Sequence, residues 1–121
     1  LVITGVIWGI WHAPVIVMGH NYGTDYPGYP WLGILAMVVF CVTLGIIEGY
    51  ASIKLDSAVP AAMIHSTFNA TAAFPIYMAK SGYNPILGPA VTGLVGGLPL
   101  IIVAIVLLVM ANRSKSITRP S

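Results

Sequence analysis

Trp31 to Ala51 reads WLGILAMVVFCVTLGIIEGYA, twenty-one residues carrying a single charge, Glu48. A helix that crosses the hydrocarbon of a bilayer needs about 20 predominantly apolar residues. This stretch meets that length, and the chain around it repeats the pattern. Charge-free runs extend over Leu1 to Thr24, Tyr26 to Ile47, Ser57 to Ala79 and Ser81 to Asn112. The predicted helices are Leu1 to Gly19, Trp31 to Ala51, Ala58 to Ala79 and Pro89 to Ala111. The separators HNYGTDYPGYP, KLDS and KSGYNPILGP are rich in the Gly, Pro, Asn and Asp that turns require. The expected fold is all-α, a polytopic transmembrane helix bundle of about four spans. Residues 1–112 form the membrane part, and 113–121 a basic tail.

Composition agrees. Of 121 residues, 58% are apolar and 7% charged, against roughly 25% charged in soluble domains. Mean hydropathy is +0.93. Too few charges remain to coat a surface facing water, so soluble, disordered, collagen-like and coiled-coil readings fall together. The single cysteine, Cys41, lies inside an apolar run and offers neither a disulfide framework nor a thiolate metal site. Arg113, Lys115 and Arg119 cluster in the last nine residues and read as a membrane-flanking tail, not a nucleic-acid surface. The partners expected are the lipid bilayer and no nucleic acid. Positive residues mark the cytoplasmic side, which places the tail, Lys54 and Leu1 inside. The chain begins with Leu1 instead of Met and has no charged leader, so it is read as part of a longer protein whose N-terminal helices lie upstream. Tyr22, Tyr26, Tyr29 and Trp31 gather at the first connection, and their amphipathic rings predict a position at the headgroup layer.

Three predicted spans carry glycines four residues apart: Gly5 and Gly9, Gly45 and Gly49, Gly93 and Gly97. On a helix each pair shares a face and lets a neighbouring backbone approach. Ala58, Ala62, Ser66 and Ala70 repeat the spacing on the third helix. A tight bundle is expected.

The polar residues within the spans are the candidates for chemistry, because an ionisable or amide group in hydrocarbon is costly without a partner or a wet cavity. His65 and Asn69 stand i and i+4 on the third helix, about 6 Å apart on one face. His12 lies in WGIWHAP, where Pro14 has no N–H for the carbonyl of Ile10, so the helix should kink at the histidine. Pro75 should release the carbonyl of Thr71 in the same way. Pro60 falls in a first turn capped by Ser57, where a missing donor costs nothing. Two imidazoles can bind a divalent metal or hold a water and an oxyanion, and Asn69 can donate to developing negative charge. A catalytic zinc takes three protein ligands, and a hydrolase also needs a carboxylate to accept the water's proton. The plain alternatives are a histidine bonded to a backbone carbonyl for His12 and an interhelical hydrogen bond for Asn69. Glu48 is read as an interfacial carboxylate that snorkels toward Lys54 and water, in preference to a spare ligand or base. His20 is read as an interface residue, and Asp25 and Asp56 as turn residues.

These residues resemble the CPBP intramembrane proteases, the group of type II CAAX prenyl proteases and Abi bacteriocin-processing proteins. That family has an aromatic residue four before a histidine, in a WH-x-P stretch; Trp8, Trp11, His12 and Pro14 match. It later has Ser-x-x-Pro opening a helix with a histidine and, four residues on, Asn or Asp; Ser57, Pro60, His65 and Asn69 match in SAVPAAMIHSTFNA. The 53 residues between the histidines also look like the family's. The resemblance covers most of Leu1 to Ala73. It implies an intramembrane endopeptidase, metalloprotease-like, that hydrolyses peptide bonds in membrane-associated or prenylated substrates, in a prokaryotic cell membrane. It further implies that His12 and His65 hold a divalent metal, zinc by type, or polarise the carbonyl, while Asn69 helps bind the oxyanion. The family's glutamate pair with an arginine, EExxxR, is absent here, so the water-activating base lies outside the chain and the fragment alone is expected to be inactive. Trp8 replaces the usual Phe. The rival readings are a haem or ion held by His12 and His65, a transporter fragment, and a non-catalytic immunity or scaffold relative.

Overall fold

The computed structural model describes residues 1–117, and among them every regular element is a helix. In chain order these are α1 (Val2–Trp11), α2 (Ala13–Val17), α3 (Trp31–Leu55), α4 (Val59–Thr71), α5 (Phe74–Tyr77) and α6 (Leu98–Ile117). The all-α expectation holds. By length and composition α3, with 25 residues, can cross a membrane, while Val2–Val17 and Leu98–Arg113 are shorter apolar helices.

Helix α3 is the axis, with α1, α4 and α6 each packed against it. The contact with α1 is made by the glycines. A Cβ added at Gly5 would stand 2.5 Å from the Cα of Val42, and one at Gly9 2.5 Å from the Cα of Val38. Real side chains do not fit there, so the two backbones touch as the small-residue spacing predicted. Gly45 adds to this seam, with Gly5 Cα 3.8 Å from the position its Cβ would take. The kink falls where Pro14 demands it: α1 ends at Trp11, His12 closes its last turn with a bond from its N–H to the Gly9 carbonyl at 3.2 Å, and α2 begins at Ala13.

The hairpin of α3 and α4 turns on Asp56, which takes the left-handed conformation at φ 47° and directs its N–H to the Ser52 carbonyl. Ser57 Oγ then accepts the N–H of Val59 at 3.2 Å, and Pro60 occupies the first turn of α4. Farther on, α4 stops at Thr71, the residue whose carbonyl Pro75 cannot engage. The predicted helix Ala58 to Ala79 is therefore two pieces separated by Ala72 and Ala73.

Three expectations are corrected. The last helix starts at Leu98, not Pro89, and it runs on to Ile117, past the predicted end at Ala111. Residues ahead of it fold into a tight loop. Asn84 Oδ1 accepts the N–H of Ile86 at 2.9 Å, Leu94 N–H bonds the Ile86 carbonyl at 2.8 Å, and Val95 N–H bonds the Leu87 carbonyl at 2.7 Å. Gly93 and Gly97 thus share no helix face; a Cβ on Gly93 would stand 2.5 Å from the backbone of Gly88, so its smallness closes the loop. Second, Ala58, Ala62, Ser66 and Ala70 are exposed, because α4 meets α3 through another face, with Phe68 edge-on to Phe40 at 6.3 Å between centroids. Third, Tyr22 and Tyr26 are buried within the protein, so their rings do not face its surroundings. They join Ile16, Met37, Cys41 and Ile86 in the buried cluster, and Tyr22 Oη donates to the Thr92 carbonyl at 2.8 Å. Tyr29 bonds the carbonyl of Val17, and of the four aromatics only Trp31 is largely exposed. The end of the basic tail, Thr118 to Ser121 with Arg119, lies outside the described residues.

Candidate active site

A cavity of about 730 Å³ opens between the kinked first helix pair, α3 and α4. His12, His65 and Asn69 all line it, together with Trp8, Phe40 and Phe68. The sequence separates the two histidines by 53 residues; the seam of α1 on α3 and the hairpin of α3 and α4 bring them to one space. His20, read from the sequence as an interface residue, lines the same cavity. Its neighbour Asn21 holds φ 66° and Gly19 φ 90°, and this left-handed backbone turns the chain back over the opening after α2.

His12 Nδ1 stands 2.8 Å from the backbone carbonyl of Trp8. A carbonyl only accepts, so Nδ1 carries the proton, and the lone pair of the neutral ring lies on Nε2. The plain alternative and the functional reading meet here: the histidine is satisfied by a backbone group, and that bond fixes the tautomer of a ring lining the cavity. Trp8 also supplies its indole. The ring lies 5.9 Å from the His12 imidazole and 5.3 Å from that of His65, inclined at 33° to the latter. One tryptophan thereby braces both histidines. Trp11 meets His12 edge-on at 5.7 Å.

Glu48 departs from its expected place. Its Oε1 stands 3.2 Å from Nδ1 of His65, and it does not turn toward Lys54. Six residues along a helix is about 240° around it, so Lys54 projects from another side of α3. His65, by contrast, is directly across the hairpin: Glu48 lies eight residues before Asp56 and His65 eight after Ser57. In a helical hairpin with so short a turn, residues equidistant from it come to the same level. That symmetry is legible in the sequence once the turn at Asp56 is known. Asn69 follows one turn after His65 on the same face and reaches the cavity as its i, i+4 spacing predicts.

A family model described as type II CAAX prenyl endopeptidase, Rce1-like, matches residues 1–71, more than half of the chain. The chain belongs to that family. No curated protein and no solved structure matches it. The match to this CAAX endopeptidase family spans α1 to α4 and so contains every cavity residue named from the sequence as catalytic. It places the chain among membrane-embedded CAAX-type proteases, as the WGIWHAP and SAVPAAMIHSTFNA stretches implied. The family's EExxxR pair is not in this chain, whose one glutamate is Glu48. Among the described residues no three His, Cys, Asp or Glu side chains come together, whereas a catalytic zinc takes three protein ligands.

Proposed function

We propose that this chain carries the histidine and asparagine part of the active site of an intramembrane endopeptidase acting on prenylated or otherwise membrane-associated proteins. The observation that carries the reading is the convergence of His12, His65 and Asn69, from elements far apart in sequence, on one cavity within a CAAX endopeptidase family member. Cleavage requires water oxygen to bond the scissile carbonyl carbon, the carbonyl oxygen to take negative charge, and the C–N bond to break as the leaving amine receives a proton. Asn69 donates its amide N–H to the developing oxyanion, a role in which preorganised donors act strongly once water is excluded. His12, with its Nδ1 proton committed to the Trp8 carbonyl, presents Nε2 to the attacking water. His65, its Nδ1 bonded to Glu48, presents Nε2 to the cavity as an acceptor for the same water. The carboxylate that takes the water's proton comes from a segment outside this chain. A zinc ion would need a third ligand beyond His12 and His65, and none of these steps depends on one. The aromatic lining from Trp8, Phe40 and Phe68 suits an apolar substrate chain.

The test is cleavage of a farnesylated peptide ending in a CAAX sequence by the intact protein in proteoliposomes. The expected result is product release by the intact protein, its loss in His65→Ala, and no cleavage by residues 1–121 alone. Equal cleavage by His65→Ala and the unaltered protein would overturn the reading.

A further inference from the structure

We propose that Glu48 is a positioning residue for His65, fixing which ring nitrogen faces the cavity; the catalytic part of this claim rests on the endopeptidase reading above. Three observations converge on it. The carboxylate lies within the apolar run of α3, its side chain 16% exposed, and a carboxylate at such depth persists only with a partner or water. The partner is present: Oε1 is 3.2 Å from His65 Nδ1. The hairpin geometry favours the pairing, since the left-handed turn at Asp56 sets the two residues level across α3 and α4.

The chemistry follows from donor and acceptor types. An ionised carboxylate only accepts, so Nδ1 of His65 carries the proton and donates to Glu48, and Nε2 is left for the cavity that the ring lines. The Trp8 indole packs on the same ring at 5.3 Å and limits its rotation. His12 is oriented by a backbone carbonyl and His65 by a carboxylate, so both imidazoles have Nδ1 engaged and Nε2 free. A partner of this kind orients the working group without touching the substrate, and its loss characteristically costs about 10- to 100-fold in activity.

The experiment is a pair of measurements on the intact protein in nanodiscs. In the first, histidine is labelled with ¹⁵N and the His65 ring signals are assigned by their disappearance in His65→Ala. Nδ1 of His65 is expected to be the protonated nitrogen in the unaltered protein and to shift in Glu48→Leu. Identical His65 signals in both proteins would overturn the pairing. In the second, kinetics on the farnesylated peptide should show kcat reduced about 10- to 100-fold in Glu48→Leu with KM unchanged. Glu48→Gln, whose carbonyl oxygen still accepts from Nδ1, should recover most of that loss. An unchanged kcat in Glu48→Leu, with shifted ring signals, would retain the pairing and remove its catalytic role. If the unaltered protein cleaves nothing, the endopeptidase reading fails by itself, and the ring signals still decide the pairing.

Discussion

Asn69 is less tied to its surroundings than His12 and His65, whose rings are engaged by Trp8 and Glu48. It is exposed, it lines the cavity, and the turn of α4 that carries it contributes no buried side chain. Replacement by alanine should therefore leave the helix intact while removing a donor to the oxyanion. The expected outcome for Asn69→Ala is kcat lower by about 100-fold or more with KM unchanged, read by steady-state kinetics beside a far-UV circular dichroism spectrum that does not change. A comparable loss of helicity would make the effect structural. His12, His65 and Asn69 were legible from the sequence because each is expensive in an apolar run, and because i, i+4 spacing forces two of them onto one face. Glu48 was legible as unusual but not as a partner of His65. Snorkelling toward Lys54 is a good rule for a helix end considered alone, and it yields here to a second helix that brings an imidazole to 3.2 Å.

Between elements, the decisive contact is the glycine seam of α1 on α3. A methyl group at Gly5 or Gly9 meets backbone Cα atoms at 2.5 Å, which no rotamer change relieves, so α1 would have to move outward. Gly5→Ala and Gly9→Ala should each cost about 1–3 kcal/mol, seen as a lowered thermal midpoint in detergent. Gly45→Ala is the control, since its added Cβ finds only the Cα of Gly5 at 3.8 Å, ordinary contact distance. Its midpoint should equal or slightly exceed that of the unaltered protein, alanine being the better helix former by about 1 kcal/mol. Moving α1 also moves Trp8 and His12, so the two damaging variants should lose cleavage even at temperatures where they remain folded. The seam and the break at Pro14 were readable because glycine and proline act through local sterics. The start of α6 was not: residues 89–97 are as apolar as a span, and hydropathy is blind to a loop whose carbonyls and N–H groups satisfy one another internally.

Over the whole molecule, that loop is what closes the structure around the cavity. Tyr22 and the Thr92 carbonyl join segments seventy residues apart, tying the connection after α2 to the loop before α6, and Thr92, Ala90 and Gly23 stand beside this tie in the cavity wall. The tie is sensitive to pH in a direction that can be worked out. Burial pushes the Tyr22 hydroxyl well above the ordinary tyrosine range, and the Thr92 side chain offsets this only in part; burial raises Tyr26 too. Below about pH 10 the tyrosine is neutral in both folded and unfolded chains, and the hydrogen bond contributes fully, about 1 kcal/mol net. Above that pH the unfolded chain releases the proton while the folded one retains it, so the contribution is lost as pH rises. Lysines and other tyrosines titrate in the same interval, which makes the difference between proteins the quantity to measure. Tyr22→Phe should melt below the unaltered protein at neutral pH, and the gap should narrow and then reverse as pH climbs past about 10. A gap constant with pH would mean that the hydroxyl is open to solvent in the folded protein and that the tie to Thr92 is not made.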